Sequence, residues 1–315
     1  MHLKIGDIIC VTGGNGFLGQ SLVCALRNAG HRFIATPSSA KYDLTRVEDA
    51  RTLMARIQPD VVFHLAAVVG GIGANQERPG EFFYKNAMMG LNTMHAAWRY
   101  DVKRFVTVGT VCSYPKHTPV PFSEADFWNG YPEETNAPYG LAKKMLLAMQ
   151  QAYSRQYGFD AIHVVLANLF GPGDNFDPRS SHVIPAMIAK FIDAVECKRD
   201  EVILWGDGSP TREFLYVDDA ATALIAAAGR YCNYELPLNV GTGIEVSMKQ
   251  LADEIAALTG FYGTITWDAT RPNGQPRRCL NVQRAREFMD IDAFTPRSTG
   301  LEHTINWYRT HRLAR

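Results

Sequence analysis

Tyr139-Gly140-Leu141-Ala142-Lys143 sets a phenol and an ammonium four residues apart, one turn along the same face of a predicted helix. Reducing a carbonyl needs hydride at carbon and a proton at oxygen. A tyrosine can deliver that proton, and a neighbouring ammonium favours the phenolate and draws the phenol down from its ordinary pKa of about 10. Thr110 closes the strand predicted ahead of this helix. Its hydroxyl can bond the same carbonyl, or it can bond only its own backbone.

A second constellation lies upstream. In Thr12-Gly13-Gly14-Asn15-Gly16-Phe17-Leu18-Gly19, glycines recur every third residue between an apolar run and a helical pattern. That order of strand, glycine turn and helix fits dinucleotide binding. One glycine makes the turn, one admits the pyrophosphate, one lets helix pack on strand, and the free N–H groups of the helix start face the phosphates. NADH-preferring sites carry Asp or Glu at the end of the second strand. Here Ala35-Thr36-Pro37-Ser38-Ser39-Ala40-Lys41 offers hydroxyls and a cation, which predicts NADPH over NADH unless the stretch is only a solvated loop.

Charge and cysteine usage exclude other classes. Lys+Arg and Asp+Glu stand at 32 each, so no chain-wide field draws the protein to nucleic acid or to an anionic membrane. Six scattered cysteines form no C-x-x-C pair and predict neither a metal site nor a disulfide framework. With no membrane-length apolar run and too few apolar residues before the glycines for a signal peptide, a cytoplasmic protein is expected.

These groups need a scaffold. The first half alternates apolar runs (7–11, 32–36, 60–65, 104–109, 161–167) with helical patterns (16–30, 46–57, 79–100, 138–157), which predicts an α/β fold with a doubly wound parallel Rossmann sheet. After Gly171 the rhythm breaks into GPGDNFDP, WGDGSPT and RPNGQP turns, between helices over 183–195, 217–231, 247–259 and 300–310 and strands over 202–205, 238–241 and 264–267. We expect an NADP-binding Rossmann domain over 1–170 and a smaller, mainly substrate-binding α/β region over 171–315, some of whose late elements return to the first.

Longer blocks carry a resemblance. His64-Leu65-Ala66-Ala67, Val111-Cys112-Ser113-Tyr114-Pro115-Lys116, Asn168-Leu169-Phe170-Gly171-Pro172 and Ser181-His182-Val183-Ile184-Pro185 resemble the GDP-L-fucose synthase branch of the extended short-chain dehydrogenase/reductase family, over nearly the whole chain. The resemblance implies NADPH-dependent 3,5-epimerisation and 4-reduction of a GDP-linked 4-keto sugar. It implies Cys112 as base and His182 as acid of epimerisation, and Thr110, Tyr139 and Lys143 as the reductase set. The implied pair makes chemical sense: a ketone acidifies the hydrogens on the carbons beside it, a thiol and an imidazole exchange protons close to neutral pH, and a base and an acid on opposite faces would invert such a carbon, with Thr110 and Tyr139 stabilising the enolate oxygen. Residue types alone do not say which of Cys112 and His182 is the base; taken singly, the cysteine reads as a small buried hydrophobe and the histidine as a loop residue bonding backbone. It implies NADP contacts from Gly13, Gly14, Asn15, Gly16, Phe17, Leu18, Gly19, Gly109, Thr110, Val111, Lys143, Leu166, Asn168, Leu169 and His182. GDP-sugar contacts would come from Lys190, Trp205, Arg212, Asn273 and Arg278, and the long helices over 79–100 and 138–157 would pair two copies into a homodimer. Within that implied set Trp205 would pack its ring on base or ribose, its other reading being a strand-end core aromatic, and Arg212 and Lys190 would neutralise the pyrophosphate, Arg212's other reading being an ion pair with Glu213 or Asp218. Lys190 stands where arginine is usual and Asn273 where aspartate is common, which bears on the choice of sugar. Other nucleotide-linked 4-keto sugars, an NAD-retaining 4-epimerase and a non-catalytic NADPH sensor are the competing readings.

Overall fold

The computed structural model describes residues 3–232, 235–271, 273–289 and 294–312. Pro272, inside the RPNGQP turn, therefore lies outside the described residues, as do both ends of the chain. In order, the elements are β1 (Ile9–Thr12), α1 (Phe17–Asn28), β2 (Ile34–Ala35), α2 (Val47–Ile57), β3 (Val61–His64), α3 (Ile72–Glu77), α4 (Pro79–Arg99), β4 (Arg104–Thr110), α5 (Ala137–Tyr157), β5 (Ala161–Leu166), β6 (Asn168–Phe170), α6 (Val183–Glu196), β7 (Glu201–Trp205), β8 (Thr211–Tyr216), α7 (Val217–Arg230), β9 (Leu238–Val240), β10 (Glu245–Ser247), α8 (Met248–Thr259), β11 (Thr264–Asp268), β12 (Arg277–Arg278), α9 (Gln283–Met289) and α10 (Arg297–Arg312).

Six parallel strands in the order β2-β1-β3-β4-β5-β9 form the main sheet. Its central strands are buried on both faces, which is why runs such as Val61–His64 and Ala161–Leu166 show no polar alternation. On one side α1, α7 and α9 cover an apolar core that includes Ile9, Phe63, Ile162 and Leu224; on the other α2, α4 and α5 enclose Leu53, Met94, Phe105 and Leu146. The strand order reverses between β1 and β3-β4, and ligands in such sheets bind at the carboxyl ends of the strands at that reversal.

A second core sits beyond those carboxyl ends. It gathers Phe170, Phe191, Phe214, Leu251 and Leu301 from β6, α6, β8, α8 and α10. Strands β6 and β12 pair parallel to β8, and β10 pairs antiparallel to it. Strands β7 and β11 form a separate parallel pair. The parallel sheet and most element positions agree with the sequence reading. The elements missing from it, β6, β8, β10, β12, α3 and α9, are short, or polar in the manner of Thr211–Tyr216, which carries Arg212 and Glu213.

Candidate active site

The glycine turn is built by close approach. Gly13 has φ +72°, and a Cβ there would meet the Ala66 backbone nitrogen at 2.8 Å. Gly19, in the first turn of α1, lies against the Gly13 carbonyl and the Gly14 backbone, so any side chain there would push helix from loop. Gly16 caps α1 with no side-chain hydrogen bond, which leaves the first amides for an anion. These features fit a dinucleotide pyrophosphate. Gly14 differs from its neighbours, because its α-carbon faces Thr36 and it packs loop onto strand instead of lining the cleft.

From this turn a cleft of about 1100 Å³ runs past the ends of β4 and β5 to β7 and β8. The other residues of the NADP and GDP-sugar sets implied by resemblance all line it, from Gly13, Asn15, Gly16, Phe17, Leu18 and Gly19 through Gly109, Thr110, Val111, Leu166, Asn168 and Leu169 to Lys190, Trp205, Arg212, Asn273 and Arg278. Ser38 and Ser39 line its nucleotide end, and the Lys41 ammonium lies over the Tyr42 ring at 5.3 Å. Sequence reasoning missed Asp43 and Leu44 here, because they fall eight and nine residues past β2, outside any motif.

At the centre the local chain geometry brings the reactive groups together. Strand β4 ends at Thr110 and tightens into a 3₁₀ turn over Val111–Ser113. The Thr110 Oγ1 accepts the Cys112 N–H at 3.2 Å, so its own hydrogen is left to donate into the cleft. Both proposed uses of that hydroxyl, backbone and substrate, are thus compatible. The start of α5 is clamped to this turn: Ser113 Oγ donates to the Gly140 carbonyl at 2.9 Å, and Gly140 lies against the Cys112 carbonyl so closely that a Cβ would not fit. The glycine between Tyr139 and Leu141 is therefore what lets the phenol sit beside the Cys112 turn. The Tyr139 ring is held edge-on by Phe82 of α4 at 6.4 Å.

Electrostatics correct one expectation. Burial, and then Cys112, push the Tyr139 phenol above its ordinary value, so no lowering by Lys143 prevails. Burial pushes Lys143 down to about 8. Tyr139 is thus held protonated, the form a proton donor needs. Two buried histidines of the sheet itself, His64 on β3 and His163 on β5, are held neutral by burial and by Lys143, both down to about 3. Each is fixed by a threonine: Thr12 Oγ1 lies 2.9 Å from His64 Nδ1 and Thr107 Oγ1 2.8 Å from His163 Nδ1. His182 is the N-cap residue of α6 and keeps an exposed surface within the cleft, yet the surrounding walls lower its pKa.

At the far end the Trp205 ring is 61% exposed on the cleft wall, which removes its core reading. The Arg271 guanidinium sits over it at 5.2 Å. Lys190 Nζ donates to the Ile203 carbonyl at 2.8 Å. Arg212 Nη1 donates to the Thr211 carbonyl at 2.7 Å, while Glu213 accepts from the Gly243 and Leu280 amides, both at 2.7 Å. Burial first, then Arg278, brings Arg212 down to about 10. Asn273 Oδ1 accepts the Asp207 N–H at 3.0 Å, so this amide ties two turns of the cleft rim. Glu133, Asn136 and Gln275 also line the cleft and were not identified from sequence, since each matters only through a side chain it meets in space.

This geometry can be set beside known proteins. The model of the NAD dependent epimerase/dehydratase family matches residues 9–241. GDP-L-fucose synthase 1 of Arabidopsis thaliana is 37% identical over 95% of this chain and 92% of its own length. GDP-L-fucose synthase of Escherichia coli (strain K12) is 35% identical over 95% of this chain and 96% of its own. The chain belongs to this epimerase/dehydratase family, in the branch that holds the GDP-L-fucose synthases. Among solved structures, a GDP-L-fucose synthetase from Naegleria fowleri bound to NADP superposes with a TM-score of 0.90 at 25% identity, covering 99% of this chain and 97% of the other. Its fold, a Rossmann-type parallel sheet with a second α/β layer beyond the strand ends, is the one described above.

Proposed function

We propose that the protein is an NADPH-dependent enzyme that converts GDP-4-keto-6-deoxy-D-mannose to GDP-L-fucose by 3,5-epimerisation and 4-reduction. The observation that carries this reading is one continuous cleft holding a glycine turn at one end, Trp205 and Arg212 at the other, and Thr110, Cys112, Tyr139, Lys143 and His182 between them. The relatives named for GDP-L-fucose synthesis support the sugar, and the NADP-bound neighbour supports the cofactor. The glycine turn, Ser38 and Ser39 would hold NADPH, which supplies the hydride for C4. The domain reading, nucleotide below residue 170 and sugar beyond it, belongs to the same proposal.

In the epimerisation Cys112 takes a proton from the carbon beside the ketone, and the C–H electron pair moves to the C4 oxygen. Thr110 and Tyr139 donate hydrogen bonds to that oxygen. His182 returns a proton on the opposite face. Its lowered pKa makes the imidazolium a stronger acid and confines it to the more acid part of the working range. In the reduction Tyr139 gives its proton to the C4 oxygen, and the Lys143 ammonium stabilises the phenolate left behind. Trp205 stacks on the nucleoside, and Arg212 and Lys190 face the pyrophosphate. Two copies pair through the outer faces of α4 and α5, where Phe83, Tyr84, Met145 and Tyr157 are exposed; a monomeric mass at micromolar concentration would contradict this.

The test is NADPH consumption with GDP-4-keto-6-deoxy-D-mannose, followed by product identification. GDP-L-fucose is expected. An unepimerised GDP-sugar would remove the roles of Cys112 and His182 and leave the reductase. In Cys112→Ser, solvent deuterium exchange at C3 and C5 should fall while an already epimerised ketone is still reduced; exchange at the wild-type rate would sink the base assignment.

A further inference from the structure

The resemblance implies a sugar-nucleotide contact for Arg278. Its surroundings also set it beside Cys112. Arg278 ends β12 in register with Arg212 on β8, and it is only 9% exposed. Its Nη1 donates to Cys112 Sγ at 3.3 Å, its Nε donates to Gln275 Oε1 at 2.8 Å, and its Nη2 lies 4.0 Å from Glu133 Oε2. Gln275 is itself pinned, donating to the Lys116 carbonyl at 3.0 Å. Glu133 is fixed by the Thr135 hydroxyl at 2.5 Å and the Asn136 amide at 3.0 Å. Burial works against its charge, but these bonds and Arg278 outweigh burial and keep it below the usual carboxylate range. A guanidinium anchored on two sides therefore aims its third edge at one sulfur.

We propose that Arg278 is a positioning residue for Cys112, its anchored guanidinium holding the sulfur toward the sugar through a charge-assisted contact. A guanidinium has donors only and never loses its charge, so whatever it faces must accept. A neutral thiol is a weak acceptor, whereas a thiolate is a charged one, and hydrogen bonds between opposite charges are about twice as strong as neutral ones. The contact is therefore stronger while sulfur carries charge and weaker while it carries a proton. When the C–H proton moves to sulfur and the electron pair to the C4 oxygen, that contact weakens, and it is restored once the thiol passes its proton to solvent. Glu133 and Gln275 serve as the anchors that spare Arg278 for this task.

The inference rests on the reading of Cys112 as the epimerising base, but its test does not need the sugar. Thiolate, not thiol, reacts with iodoacetamide. Alkylation of Cys112 in the ligand-free enzyme near pH 7, followed by mass spectrometry, should slow at least tenfold in Arg278→Gln. In Arg278→Lys, which keeps the charge and loses the fork, it should recover to within threefold of wild type. Exposed Cys24 and Cys197 act as internal standards and should keep their rates. An unchanged Cys112 rate in Arg278→Gln, or a fall that Cys24 and Cys197 share, overturns the proposal. If the rate falls selectively while Cys112→Ser retains wild-type exchange at C3 and C5, the coupling stands and the base assignment fails.

Discussion

Replacing Lys143 with methionine should stabilise the ligand-free protein while removing its reductase activity. The ammonium is 3% exposed, and burial alone drives its pKa from 10.5 down to about 8. At about 1.4 kcal/mol per pH unit, that fall corresponds to about 3 kcal/mol. Its sign follows from proton counting. Between pH 8 and 10.5 the unfolded chain keeps the Lys143 proton and the folded chain has shed it, so stability rises with pH across that window. Below about 8 both states are charged and the folded state bears the full cost. Methionine fills similar volume without charge. Urea unfolding of wild type and Lys143→Met, both without cofactor, should therefore differ by roughly 3 kcal/mol near pH 7 and by much less near pH 10. The difference between the two proteins cancels Lys144, which burial also lowers to about 8. A variant no more stable than wild type near pH 7, or a gain that persists at about pH 10, would refute the argument that this lysine is kept for chemistry against the preference of its site.

Other outcomes follow from the same geometry. Tyr139→Phe should cut ketone reduction by about 10²- to 10⁴-fold, the usual worth of a placed proton donor, while NADPH binding measured by fluorescence stays near wild type. Gly19→Ala sets a methyl against the Gly13 carbonyl and should weaken NADPH binding at least tenfold, about 1.4 kcal/mol, as read by titration calorimetry; unaltered affinity would mean the loop can open freely. Arg104, 1% exposed, pairs with Asp160 at 2.5 Å and donates to the Tyr231 carbonyl. Arg104→Leu should cost about 3 kcal/mol in urea unfolding, because it strands a carboxylate and a carbonyl.

What could be read in the sequence depended on whether function lay in a local pattern. The glycine turn, the Tyr139–Lys143 pair and the alternation of strand and helix are short-range regularities, and the structure places them as the spacing requires. Strand boundaries moved by a residue or two. The polar strand Thr211–Tyr216 was missed because it has no clean alternation, although its pairing with β6, β10 and β12 makes it the centre of the second sheet. The direction of the Tyr139 shift was also misjudged. Spacing shows that an ammonium is near, but not that burial outweighs it. The partnership of Cys112 with Arg278 joins residues 166 positions apart, and no periodicity could reveal it.

The place of β9 in the main sheet has a consequence for synthesis of the chain. Its strand, Leu238–Val240, covers the open side of β5, and α7, at Val217–Arg230, packs against the buried face of α1. A nascent chain that had emerged only as far as Phe170 would show β5 as an unpaired edge and the buried face of α1 to solvent, two surfaces prone to wrong partners. The nucleotide-binding sheet can close only after some seventy further residues leave the ribosome, by the strand positions above. Folding of the two layers is therefore coupled in time, and the first layer waits on the chain that builds the second.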